Sequence, residues 1–100
     1  MRVWLDDERT APEGWVHART PEEAIELLRG GEVEELSLDH DLGLAVGERE
    51  RTGYDVLLWL EAEVAAGRAQ PPAVMTLHSV GAVKRMEQAI DSIRRLAGEV

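Results

Sequence analysis

The chain has 100 residues, 44% hydrophobic and 31% charged, the size and balance of one globular domain with a single core and no second lobe. No apolar run approaches the ~20 residues of a membrane helix. The opening Met1-Arg2-Val3-Trp4-Leu5-Asp6 turns acidic too early for a signal peptide, and the lack of cysteine excludes disulfides, thiolate zinc sites and cysteine nucleophiles. A cytoplasmic protein with no membrane partner is expected. Its formal net charge of -9 argues against generic binding to a nucleic-acid backbone, but not against a small phosphorylated ligand where arginines or a bound cation reverse the field locally.

Val3-Trp4-Leu5 is a short apolar run followed at once by Asp6-Asp7-Glu8-Arg9, which reads as a central strand ending in an acidic cluster. The connection Thr10-Ala11-Pro12-Glu13-Gly14 is too short for a packed helix. Extended, the stretch from Glu8 to Gly14 spans roughly 25 Å, enough to return along a short strand and start a parallel one. Trp15 to Arg19 alternates as an edge strand does, and His17 within it reads as a surface residue.

Thr20-Pro21-Glu22-Glu23 combines an N-cap threonine, a proline at the first helical position and the glutamate of a capping box. A helix follows, with Ala24, Ile25 and Leu28 on its apolar face and Gly30-Gly31 at its end. Glu22, Glu23, Glu26, Glu32, Glu34 and Glu35 read as a solvated acidic surface.

Chemistry concentrates on Leu36-Ser37-Leu38-Asp39-His40-Asp41-Leu42-Gly43, a buried strand that ends in two carboxylates and an imidazole before a glycine stops it. Open α/β sheets build their ligand crevices at this edge. Were this strand parallel to the first and beside it, Asp6 or Asp7 would approach Asp39, and carboxylates so gathered bind a cation or share protons. Leu42 to Thr52, with Gly43, Gly47 and Glu48-Arg49-Glu50-Arg51, reads as a mobile loop over the strand end, from which Arg49 or Arg51 could swing toward an anion or, flanked by glutamates, stand as plain surface.

Thr52-Gly53-Tyr54-Asp55 opens a helix through about Ala66, with Val56, Leu57, Trp59, Leu60 and Val64 as its buried face. After Pro71-Pro72, Ala73 to Leu77 is a further strand that finishes on His78-Ser79. Ser79, Val80 and Gly81 lead into a last helix, about Ala82 to Ala97, with Val83, Met86, Ala89, Ile90, Ile93 and Leu96 at core spacing. Free amides and the helix dipole favour a phosphate at its start, with Lys84 or Arg85 one turn away.

With right-handed crossovers this order predicts a three-layer, flavodoxin-like α/β domain. Its four-stranded parallel sheet has the order 2-1-3-4 and is covered on both faces.

These features resemble a trimmed response-regulator receiver. An acidic pair follows the first strand, an aspartate ends the third and a small hydroxyl residue ends the fourth, but the first helix, the fifth strand and a strand-end lysine are lacking. More specifically, Val3 to Arg9, Arg19 to Ile25, Leu38 to Gly43, Thr52 to Asp55 and His78-Ser79 resemble the cyclic-phosphate processing receiver domains, from Val3 to about Ile93. That resemblance implies a role in processing cyclic phosphate ends such as those left on broken RNA, hence RNA repair. It carries Asp6, Asp7, Asp39, His40, Asp41, His78 and Ser79 over as active residues. In the family's pattern an asparagine and a proline follow the His-Ser pair, whereas Val80-Gly81 stand here.

The function so implied is a cyclic phosphodiesterase, a hydrolase in which His40 and His78 serve as base and acid. Asp39, with Asp6, Asp7 and Asp41, would hold a divalent cation, Mg2+ by type, while Ser79, Gly81, Lys84, Arg49 and Arg51 contact the phosphorylated ligand or RNA end. Two other functions fit the same residues. One is a signalling receiver phosphorylated on Asp39. The other is a non-catalytic module binding a nucleotide or a protein.

Overall fold

The computed structural model describes residues 1–39, 41–46, 49–78 and 84–98, with residues 41–46 and 49–52 as backbone only. Strands β1 (Arg2–Leu5), β2 (Val16–Ala18), β3 (Glu35–Leu38) and β6 (Val74–Leu77) form a parallel sheet in the order β2-β1-β3-β6, the predicted order 2-1-3-4. Helices α1 (Pro21–Arg29), α2 (Gly53–Ala65) and α3 (Lys84–Leu96) complete a truncated receiver-like fold. None of the helices is long and apolar enough to cross a membrane.

Local chemistry accounts for the element boundaries. Thr20 Oγ1 accepts the N–H of Glu23, and the Glu23 carboxylate in turn accepts the N–H of Arg19, so the start of α1 is satisfied by its own side chains. Past its end, Gly31 takes a φ of 76°, a left-handed turn that glycine adopts without a steric penalty.

Two expectations are corrected. The segment read as a mobile loop contains an antiparallel hairpin, β4 (Asp41–Val46) with β5 (Arg49–Thr52), whose register shifts between Asp41 and Leu44. That irregularity and the charges on the second strand hide its alternation in the sequence.

The second correction concerns the layers. Helix α2 packs against both α1 and α3, so the three helices form one row on one face of the sheet. Right-handedness itself dictates this for α1 and α2. The crossovers β2 to β3 and β3 to β6 run in the same direction across the sheet, which puts their helices on the same side. Only the β1 to β2 connection runs the other way, and it carries no helix. Among the described residues no helix covers the opposite face.

Burial follows the pleat. Val3, Leu5, Ala18, Leu36, Leu38 and Met75 point toward the helices and form the core with Leu57, Leu60, Met86 and Ile93. The intervening residues face away. Trp4, His17, Ser37 and Thr76 lie abreast in one row, and Arg2, Glu35 and Val74 in the row before it.

Candidate functional site

The parallel ladder continues one step beyond the strands, through the N–H groups of Asp6, Asp39 and His78 donating to the carbonyls of Ala18, Leu5 and Leu38, each at 3.0 Å. Asp6, Asp39 and His78 therefore form a third row, two residues past Trp4, Ser37 and Thr76 and on the same face, the one that no described helix covers. Their ligand atoms all lie within 4.8 Å of one another. Two carboxylates in that space offer hard oxygen ligands to one divalent cation, with the imidazole as their immediate neighbour.

Asp6 is the most enclosed member, its side chain 1% exposed. Oδ1 accepts the backbone N–H groups of Glu8 and Arg9, both at 2.9 Å, which turns the chain sharply after β1. Oδ2 lies 3.1 Å from His78 Nε2. Burial alone would raise the Asp6 pKa, but the two backbone hydrogen bonds, the hydrogen bond from His78 and that ring's charge outweigh it and hold the carboxyl below its ordinary value. An ionised carboxylate only accepts, so His78 Nε2 carries a proton.

The other ring nitrogen of His78, Nδ1, lies 2.8 Å from Ser37 Oγ. A hydroxyl both donates and accepts, so Ser37 can serve the neutral ring by donating and the charged ring by accepting. Trp4 stacks on the imidazole with centroids 3.7 Å apart and planes 10° from parallel. His78 is thereby fixed on both nitrogens and one face, and its side chain is 12% exposed.

Of the other residues singled out in the sequence, Asp7 is half-buried and stands outside the group formed by Asp6, Asp39 and His78. Lys84 is exposed at the start of α3, and the Arg85 guanidinium lies 4.8 Å from the centre of the Tyr54 ring. His40, Ser79 and Gly81 lie outside the described residues, as do the side chains of Asp41, Arg49 and Arg51.

Three further contributors emerge only from the structure. Ser37 sits inside an apolar run, where a serine reads as filler. His17, a surface residue by its sequence pattern, is half-buried and donates from Nε2 to the carbonyl of Asp6 at 2.7 Å. Gly53, at the start of α2, lies so close to the Asp39 carbonyl that a Cβ there would meet its oxygen at 2.3 Å. The strand period offered a signal for Ser37, which stands two residues before Asp39. His17 and Gly53 depend on contacts across the fold that spacing alone does not reveal.

Comparison with known proteins agrees with this architecture. A family described as the cyclic-phosphate processing receiver domain matches residues 1–92. No curated protein and no solved structure matches the chain. A match across that span, on a chain whose fold is a truncated receiver with its polar row at the strand ends, shows that this protein belongs to the cyclic-phosphate processing receiver domains.

Proposed function

We propose that the protein hydrolyses a cyclic phosphate ester, such as a nucleoside or RNA 2',3'-cyclic phosphate, at the row formed by Asp6, Asp39 and His78. The observation that carries this reading is the convergence of those three side chains from three strands, with His78 held between Asp6 and Ser37. Opening the ring requires water to add to phosphorus while one ring P–O bond breaks and the departing alkoxide takes a proton. His78 is the donor for that proton. Its Nε2–H is held by Asp6 before ligand enters, and an ester oxygen arriving in the row competes for the same N–H. His40 follows Asp39 in the chain and is assigned the complementary role of base toward water.

So acidic a row repels a phosphate unless its charge is offset. Asp6 and Asp39, with His78 beside them, are the residues to hold a divalent cation, and such an ion when bound supplies positive charge to the phosphoryl oxygens. Asp6 would offer such an ion Oδ2, whose present partner is the His78 Nε2–H, since Oδ1 is occupied by two backbone donors.

Phosphorus NMR of the protein with nucleoside 2',3'-cyclic phosphates, in magnesium, in manganese and in chelator, tests the proposal. Conversion to one monophosphate isomer that stops on chelation is the expected result. Absence of conversion under every condition would overturn hydrolysis, and stable labelling of Asp39 by acetyl phosphate in the same samples would replace it with a phosphoacceptor role.

A further inference from the structure

The row of Asp6, Asp39 and His78 is the end of a larger surface, since the same face continues back along the strands and no described helix covers it. A sheet face built to receive a helix carries branched aliphatic side chains, and here Val74 is the only one among the described outward residues of the four strands. Aromatic and polar groups stand there instead. Trp4 contacts the Trp15 ring edge to face, with centroids 5.8 Å apart, and the Arg2 guanidinium lies 5.4 Å from the centre of Trp15. Trp15 is two residues before His17 and so shares its side of the sheet, beside Arg2.

From this we infer that the open face holds a nucleobase, with Trp15 as its stacking surface, Arg2 as the cation over it and Trp4 as the wall toward His78. Spacing supports the assignment. Trp4 precedes Asp6 by two residues, about 7 Å along a strand, which is comparable with the span of a ribose between its phosphate and its base. A phosphate at the carboxylate row therefore places an attached base over the tryptophans. Charge supports it as well, because Arg2 is exposed and brings positive charge to the face of a strongly acidic chain. Finally, the Trp4 Nε1–H is buried with no hydrogen-bond partner among the described residues, so this polar edge is satisfied only when the face rearranges to admit an acceptor. Stacking on indole accepts any base, so the subsite selects nucleosides over other phosphate esters without choosing among the bases.

The inference rests on reading the carboxylate row as a phosphate site, and it is tested by binding rather than turnover. Calorimetric titration of the intact protein in magnesium compares adenosine 3'-monophosphate with glycerol 2-phosphate. The adenosine compound is expected to bind at least about 10-fold more tightly, within the range of one base stacked on one aromatic ring. Trp15→Ala should bring that ratio close to one, and Trp15→Phe should keep most of it. Equal affinities in the unaltered protein, binding of neither compound, or an unchanged ratio in Trp15→Ala would overturn the subsite. If cyclic esters are not hydrolysed and the adenosine preference persists, the hydrolysis reading falls and the stacking subsite stands.

Discussion

Trp4 and His78 stack face to face across the sheet, with ring centroids 3.7 Å apart. The contact joins the first strand to the last, so a side chain from β1 orients the imidazole at the end of β6. Trp4→Ala removes both the stack and a half-buried indole. A loss of about 2 kcal/mol is expected, below the range for a fully buried tryptophan. Urea denaturation measures it, and a midpoint equal to that of the unaltered protein would show that the stack contributes nothing.

Ser37→Ala leaves His78 Nδ1 without its partner while the ring stays in place under Trp4. Removal of a group that orients an active side chain characteristically costs 10- to 100-fold, so kcat on a cyclic nucleotide should fall by about that factor with KM little changed. Ser37→Thr, which keeps the hydroxyl, should restore much of it. An unaltered kcat in the alanine variant would remove Ser37 from the mechanism.

Asp6 makes stability depend on pH in acid. Its folded pKa lies below the ordinary 3.8, so its contribution is complete above that value and is lost as pH falls through the folded pKa. Denaturation in chelator from pH 6 downward should show stability declining below about pH 4. Asp6→Asn, whose amide oxygen still accepts from Glu8 and Arg9, should flatten the part of the decline due to this group. The same slope in both proteins would assign it to other carboxylates.

Gly53→Ala drives a methyl group into the Asp39 carbonyl, at a backbone atom that cannot swing aside. Overpacking of this kind costs about 2 kcal/mol. Because the displaced group is Asp39, binding of manganese alone, followed by its electron paramagnetic resonance signal, should weaken more in Gly53→Ala than in Gly67→Ala, where the added methyl group meets nothing within 4 Å and the cost comes from the left-handed backbone, φ 74°. Equal affinities in the two variants would show that Asp39 is insensitive to the approach of α2.

His78→Ala and His40→Ala should each abolish turnover with the fold intact, as judged by circular dichroism, and Asp39→Asn should also weaken manganese binding. Normal turnover in both histidine variants would sink acid and base catalysis by imidazole.

Much of this arrangement is legible in the sequence because its signals are local. Thr20-Pro21 stops and starts the chain by capping chemistry, and the apolar runs at Val3, Leu36 and Val74 are bounded by polar residues. Asp6, Asp39 and His78 announce themselves as the first ionisable groups after three such runs. What the sequence hides is set across the fold. The hairpin at 41–52 is obscured by the break in register after Asp41, and the one-sided helical cover depends on the direction of successive crossovers. The links from His17 to Asp6 and from Gly53 to Asp39 require strands and helices to be placed before they can be seen.

The single row of helices also divides the strands by parity. Along β1, Val3 and Leu5 hold the domain together while Arg2 and Trp4 contribute nothing to the helix interface, and the same division runs through β3 and β6. Alternate residues thus carry separate duties, one set inherited with the fold and the other open to revision. A descendant of this chain can exchange its outward side chains for a different ligand, one strand position at a time, without renegotiating its core.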